Sequence, residues 1–156
     1  MAGDNFYSFF KGRIETDRDK YFDGDWSMIY GALDFIESYR SSQPFRMFLP
    51  VGYPHSPYCV EDPWFSAIDR SRLPARVSLP DLGSKPSMQQ GIVAGQHLRG
   101  WDESRWTELR ATYYGMCSRV DAQYGMLRGT LKSSGIFDDT APDRHVRQSD
   151  TENEID

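Results

Sequence analysis

The feature that most constrains the fold is a long run between residues 102 and 135 in which apolar residues recur every three or four positions. The repeat consists of Trp106, Leu109, Tyr113, Cys117, Val120, Tyr124, Leu127 and Leu131. This period predicts one amphipathic helix, capped near Asp102 and stopped at Gly135, with Ile136 folding back onto Leu131. Such a helix must bury its apolar face against a second layer of structure.

A second amphipathic helix is predicted upstream. Asp25 is a plausible N-cap, and Arg40 closes the helix before a break at residues 41–44. Its apolar face consists of Trp26, Ile29, Leu33 and Ile36. In the long helix, we interpret Tyr113 and Tyr114 as packing residues and Asp121 as a surface or structural carboxylate able to pair with Arg119 or Arg128.

A short apolar run follows the upstream helix, made up of Phe45, Met47, Phe48, Leu49 and Val51. Its length and bounding prolines favour a strand, and its lack of polar alternation favours burial on both faces, as in a parallel sheet. Residues 56–100 are rich in proline and glycine and predict a long loop, with one helical turn at residues 63–65. The order helix, strand, long loop, long helix predicts an α/β fold with an incomplete sheet.

Composition limits the organisation and the partners of the chain. Its 156 residues suit one domain over residues 1–140, followed by a polar tail at 141–156 that we expect to be disordered. A net charge of −5 argues against nucleic-acid binding. The sequence shows no membrane-spanning run and no signal peptide, so its compartment stays open. Cys59 and Cys117 lack metal-ligand spacing and are expected to be ordinary thiols.

The candidate site is His55, in the sequence Pro54-His55-Ser56-Pro57 directly after the apolar run. The carboxyl end of a strand is where α/β proteins bind ligands, and imidazole can donate to an anion or shuttle a proton. Pro54 and Pro57 would restrict the turn. The alternative is a turn histidine without a role.

The other histidines and an acidic segment are weaker candidates for a functional site. His97 lies in a glycine-rich loop and His145 in the polar tail, and the three histidines are too scattered to form a metal set. Four acidic residues resemble a calcium loop but lack its glycine and glutamate positions, so we expect a solvated loop and a helix cap there. They are Asp17, Asp19, Asp23 and Asp25.

Two blocks of the sequence resemble the sulfatase family of the alkaline-phosphatase-like superfamily. They are ALDFIESYRSSQPFRMFLPVGYPHSPY at 32–58 and ELRATYYGMCSRVDAQYGMLRGTLKSSGIFDDT at 108–140. In sulfatases, the first block has a helix, an apolar strand and a Pro-His-x-Pro turn, and the second has a Tyr-Tyr helix ending in an Asp-Asp-Thr segment. The resemblance implies a partial alkaline-phosphatase/sulfatase-like sandwich, with His55 contacting the sulfate and Pro54 and Pro57 supporting the turn.

The same resemblance marks motifs that this sequence lacks. Sulfatases carry a formylglycine nucleophile in Cys/Ser-x-Pro-x-Arg, and neither Cys59 nor Cys117 lies in such a motif. The metal-binding segments are also missing, so a calcium-type metal and formylglycine are expected only in a complete relative. The chain is therefore interpreted as a central fragment that is inactive alone, with marginal stability and uncovered helix faces able to self-associate. A sulfate-ester small molecule or glycan would be the partner of a complete relative.

Two other functions stay open. One is a non-catalytic binding or scaffold protein built on a sulfatase segment. The other is a related enzyme of the same superfamily, such as a phosphodiesterase or a phosphoglycerate-mutase-like enzyme.

Overall fold

The computed structural model describes residues 10–16, 21–77, 81–95 and 100–141. In chain order the elements are strand β1 (Phe10–Arg13), helix α1 (Gly24–Ser38), strand β2 (Tyr58–Val60), helix α2 (Trp64–Ala67), 3-10 turns at Arg70–Arg72 and Leu82–Ser84, and helices α3 (Ser87–Gly95) and α4 (Glu103–Ser133). Asp17, Asp19, His97, His145 and the predicted disordered tail from residue 142 onward lie outside the described residues.

The sheet consists of β1 and β2, which run parallel. Phe10 pairs with Tyr58 and Arg13 with Val60, and the ladder is irregular between Phe10 and Gly12. Gly12 has φ 76°, a left-handed conformation that glycine adopts without strain. The predicted α/β class with an incomplete sheet is thus confirmed, although the sheet lies elsewhere than expected.

The predicted strand at residues 45–51 is wrong. This segment has no regular secondary structure and joins no ladder among the described residues, and the described sheet is formed by β1 and β2 instead. Predicted burial on both faces is also wrong, since exposure alternates along the segment and Phe48 is 85% exposed. The predicted long loop at 56–100 contains β2, α2 and α3, while the helical turn beginning at Pro63 is confirmed.

Both predicted helices are present, with one corrected cap. The N-cap of α1 is Asp23 rather than Asp25, because the Asp23 carboxylate accepts from the Trp26 amide at 3.0 Å. Asp102 caps α4 as predicted, accepting from the Arg105 amide at 2.8 Å. Gly135 ends α4 with φ 72°, and the Ile136 amide returns to the Leu131 carbonyl at 3.2 Å.

Helix α4 packs against α1, α2 and both strands, and its buried face differs from the predicted one. Tyr113 and Tyr114 are 40% and 43% exposed and so lie outside the buried core, although the Tyr113 ring packs edge-on against the Tyr58 ring. The face is offset because close approach to α2 requires small residues: a Cβ at Gly115 would lie 2.7 Å from the Trp64 carbonyl oxygen. The buried face consists of Ala111, Thr112, Gly115, Met116, Arg119, Val120, Gln123 and Leu131.

Among the described residues, no helix combines the length and apolar character needed to cross a membrane.

Candidate functional site: the histidine turn

The sequence-predicted site residues lie together on residues 52–57, here called the histidine turn. The amide of His55 donates to the Gly52 carbonyl at 2.9 Å, which closes the turn. Both prolines follow cis peptide bonds, Tyr53–Pro54 and Ser56–Pro57. The His55 side chain is exposed at the surface, so a solute can reach its ring.

The ring of His55 has a defined orientation. Its Nδ1 lies 2.7 Å from the Ser56 carbonyl oxygen, and because a carbonyl only accepts, Nδ1 carries a proton and donates. In the described part of the chain, Nε2 makes no hydrogen bond. A protonated His55 can therefore donate from Nε2 to an external anion.

The carboxylate of Asp25 fixes the histidine turn through hydrogen bonds to its backbone. Its side chain is 7% exposed, and its two oxygens accept from consecutive amides, Gly52 at 2.8 Å and Tyr53 at 3.0 Å. Hydrogen bonds to an ionised carboxylate are stronger than neutral ones. The sequence-based interpretation of Asp25 as a helix cap is corrected here: its carboxylate contacts a segment 27 residues away.

A buried ion-pair cluster lies behind the turn. The Arg119 side chain is fully buried and donates to both oxygens of Asp23, at 2.6 and 2.7 Å, and to Glu61 at 3.3 Å. Glu61 also accepts from the indole of Trp26 at 3.0 Å. Burial acts to lower the pKa of Arg119, but the hydrogen bonds that its guanidinium donates to Asp23 and the charge of Glu61 outweigh burial and raise the pKa above its ordinary value.

Tyr53 joins the turn to this cluster. The Arg119 guanidinium carbon lies 3.9 Å from the centroid of the Tyr53 ring, a close cation–π contact. Burial raises the pKa of the Tyr53 phenol well above its ordinary range, despite the opposing Arg119 charge. Burial likewise raises the pKa of the neighbouring Cys59 thiol, which keeps it in the poorly nucleophilic thiol form at neutral pH.

Sequence reasoning identified His55, Pro54 and Pro57 but missed Arg119 and Glu61. Arg119 was considered only as a partner of Asp121, whereas its carboxylate partners are Asp23 and Glu61. A signal was present, since Arg119 follows Gly115 and Met116 by four and three positions and so shares their helix face. Its two carboxylate partners lie 96 and 58 positions away and could not be paired with it from local spacing.

The described residues do not fit a divalent metal. They contain no group of three histidine, cysteine or acidic side chains placed to hold an ion. The carboxylates of the partly buried Asp23 and the buried Glu61 already pair with the Arg119 guanidinium.

An open groove of ≈ 720 Å³ lies between α4 and the segment that follows β2. Its lining includes Trp64, Tyr114, Cys117 and Asp121 but no residue of the histidine turn. The groove and the histidine turn are therefore separate features of the surface.

The α/β framework presents an exposed histidine, His55, on a turn fixed by Asp25. Over 125 residues, the chain is 30% identical to the multifunctional alkaline phosphatase superfamily protein PehA of Trinickia caryophylli, a match covering 70% of this chain. The chain spans about a quarter, 24%, of the length of that relative. No family model and no solved structure matches the chain. The similarity supports the alkaline phosphatase superfamily, and with it a hydrolase family, without distinguishing sulfatases from other members.

Proposed function

We propose that this chain carries part of the substrate site of a sulfuric ester hydrolase, with His55 as the residue that contacts the sulfate group. The observation that carries the proposal is the geometry of His55, an exposed imidazole on a turn held by the buried Asp25 carboxylate. The two sulfatase-like blocks, at 32–58 and 108–140, support the sulfatase family within the superfamily.

The chemistry assigned to His55 follows from its hydrogen bonds. With Nδ1 donating to the Ser56 carbonyl, a neutral ring presents Nε2 as an acceptor, whereas a protonated ring presents an N–H donor. A tetrahedral sulfate ester is an anion, so it favours the protonated ring. Such a donor stabilises charge on a sulfate oxygen or supplies a proton to it.

The chain by itself is proposed to bind but not to cleave the ester. Neither Cys59 nor Cys117 lies in the formylglycine motif, and the carboxylates of Asp23 and Glu61 already pair with Arg119. In a complete relative, formylglycine would supply the nucleophile and a calcium-type ion would neutralise the sulfate. The partner would be a sulfate-ester small molecule or a glycan.

The test combines transcript sequencing with an activity assay. The sulfatase proposal expects the reading frame to continue upstream through Cys/Ser-x-Pro-x-Arg and downstream through Ser-Asp-His-Gly. The encoded protein should then cleave 4-nitrophenyl sulfate, and His55→Ala should lower kcat/KM by about 10²–10³-fold. The 156-residue chain alone should give no turnover.

Two results would overturn this proposal in different ways. Cleavage of 4-nitrophenyl phosphate or its diester, without cleavage of the sulfate, would assign the protein to a phosphatase or phosphodiesterase branch. PehA is itself named as a multifunctional alkaline phosphatase superfamily protein, which makes this comparison necessary. An unchanged kcat/KM for His55→Ala would remove His55 from the site.

A second candidate function is a non-catalytic binding protein. It is favoured by the large apolar side chains that the structure exposes, with Phe48 85% and Val77 88% exposed. A transcript that begins at Met1 and stops after Asp156, and a chain that is stable and well folded alone, would support this function over the hydrolase.

A further inference from the structure

We propose that Asp25 is a positioning residue that sets the orientation of the His55 imidazole. The proposal rests on the proposed function of His55 as an anion-contacting group. It concerns the first turn of α1, which sequence reasoning assigned to helix capping alone.

The first step of the argument is that Asp25 has no capping task. Asp23 caps α1 through the Trp26 amide, at 3.0 Å. Asp25 is buried and directs both oxygens across to Gly52 and Tyr53, at 2.8 and 3.0 Å. In the described part of the chain these two amides are its hydrogen-bond partners, and Asp25 joins no ion pair there. Burying a carboxylate is costly unless it is hydrogen-bonded, so this geometry fixes the two amides firmly.

The second step connects the hydrogen bonds of Asp25 to the orientation of the His55 ring. Gly52 offers its amide to Asp25 and its carbonyl to the His55 amide, so one residue separates the carboxylate from the His55 backbone. The ring is then fixed at its other end by Nδ1 and the Ser56 carbonyl, at 2.7 Å. Displacing Gly52 therefore moves the base of the imidazole and loosens the direction of Nε2.

The third step distinguishes the role of Asp25 from that of the buried ion-pair cluster around Arg119. Arg119 is held by Asp23 and Glu61, and it contacts Tyr53 through the ring face. None of these contacts uses the Asp25 carboxylate. Changing Asp25 should therefore alter the turn while the ion-pair cluster and the α1–α4 packing persist.

The experiment uses the full chain, labelled with ¹⁵N and titrated with inorganic sulfate while the His55 ring signals are followed by NMR. Wild type should show a saturable shift of the His55 ring signals and of the neighbouring backbone amides, and His55→Gln should abolish the amide shifts. Asp25→Asn is nearly isosteric and retains one acceptor oxygen, and it should weaken the sulfate affinity by about tenfold through misplacement of the donor. Removal of a nearby negative charge would by itself strengthen sulfate binding, so the sign of the change separates positioning from simple electrostatics.

Three variants serve as controls. Asp34→Asn removes the same charge from the exposed side of α1 and should leave the His55 shift unchanged. Glu37→Gln, at another exposed position of α1, is a second charge control and should also leave the His55 shift unchanged. Asp25→Glu retains the charge but extends the carboxylate by one methylene, and it should weaken sulfate binding as Asp25→Asn does.

The failures of the two proposals are distinguishable. If sulfate shifts His55 in wild type and Asp25→Asn binds as tightly or more tightly, the positioning role is overturned and the role of His55 stands. If sulfate leaves wild-type His55 unmoved, the anion-contacting role fails. The positioning role is then judged by hydrogen exchange: it requires faster exchange of the His55 amide and loss of the Nδ1-protonated ring signal in Asp25→Asn. Unchanged exchange would overturn it.

Discussion

At the scale of single residues, the interior depends on an arginine. Arg119 is fully buried, and its guanidinium lies between the carboxylates of Asp23 and Glu61 with the Tyr53 ring against its face. Removing one partner of a buried ion pair leaves the other charge without compensation, which costs more than the pair contributes. The residue thus joins the start of α1, the end of β2 and the histidine turn.

We predict that Arg119→Met destabilises the chain by about 3–5 kcal/mol, because the buried Glu61 carboxylate and the partly buried Asp23 carboxylate lose their cation. Urea denaturation followed by circular dichroism measures the change. Arg128→Met is the matched control on the same helix: Arg128 is exposed and contacts the Phe137 ring at 5.4 Å, so its loss should cost about 1 kcal/mol at most. Equal effects of the two variants would contradict the role given to Arg119.

Gln123 is a buried polar residue that, unlike Arg119, has no side-chain hydrogen bond in the described part of the chain. It is 1% exposed, and within the described part of the chain neither its amide nitrogen nor its amide oxygen has a hydrogen-bond partner. An unpaired buried amide is destabilising, and replacing it with an apolar group of similar shape removes that cost.

We therefore expect Gln123→Met to stabilise the chain by about 1 kcal/mol. The control is Gln90→Met, because the Gln90 amide donates to the Lys85 carbonyl at 2.8 Å and its loss should destabilise by about 1 kcal/mol. Thermal unfolding of both variants gives the comparison. A lower melting temperature for Gln123→Met would show that its amide is paired in solution.

At the scale of elements, the packing of α4 is set by its small residues. Gly115 lies where α4 crosses α2 and β2, with the Trp64 carbonyl oxygen 2.7 Å and Val60 Cγ1 3.1 Å from the position of an added Cβ. The first of these contacts is with backbone, which cannot rotate away. Gly125 lies on the same helix, and a Cβ there would meet nothing within 4 Å.

Gly115→Ala is predicted to destabilise the chain by about 1–3 kcal/mol, because overpacking against backbone outweighs the gain in helix propensity. Gly125→Ala should instead stabilise it by about 0.5–1 kcal/mol, since only the propensity term applies. Chemical denaturation of the two variants provides the measurement. If both substitutions stabilise the chain, the space beside Gly115 must be larger than the 2.7 Å between an added Cβ and the Trp64 carbonyl oxygen implies.

At the scale of the whole molecule, apolar surface remains uncovered. Among the large apolar side chains that the structure describes, Phe48 and Val77 are the most exposed, and α1 and α3 contribute Tyr30, Phe35, Met88 and Ile92. The chain spans 24% of the length of PehA, and the described sheet has two strands. Exposed apolar side chains of this kind favour association between molecules.

We predict that the isolated chain self-associates and that Phe48→Ser reduces the association. The segment at 45–51 joins no strand among the described residues and exposes Phe48, so this phenylalanine is available to a second molecule. Sedimentation velocity over a concentration series measures the effect. Arg46→Lys, on an exposed position of the same segment, should leave association unchanged, and a concentration-independent monomer for the wild-type chain would refute the prediction.

The sequence by itself determined the local structure of this protein. The periodicity and caps of α4, the existence of α1, the helical turn at Pro63 and the α/β class all follow from spacing and from backbone preferences that act over a few residues. The Pro-His-x-Pro pattern also located the histidine turn, because proline restricts its neighbours directly.

Only the tertiary structure decided which residues meet. In the structure β2 pairs with β1, and residues 45–51 join no ladder among the described residues. Gly115 and Arg119, rather than Tyr113, are buried in the core. Asp25 binds the amides of the histidine turn instead of capping α1. These outcomes depend on contacts between residues 27 to 96 positions apart. Periodicity reports which positions share a face, but the closeness of the opposing backbone and the charge of distant partners determine which face is buried.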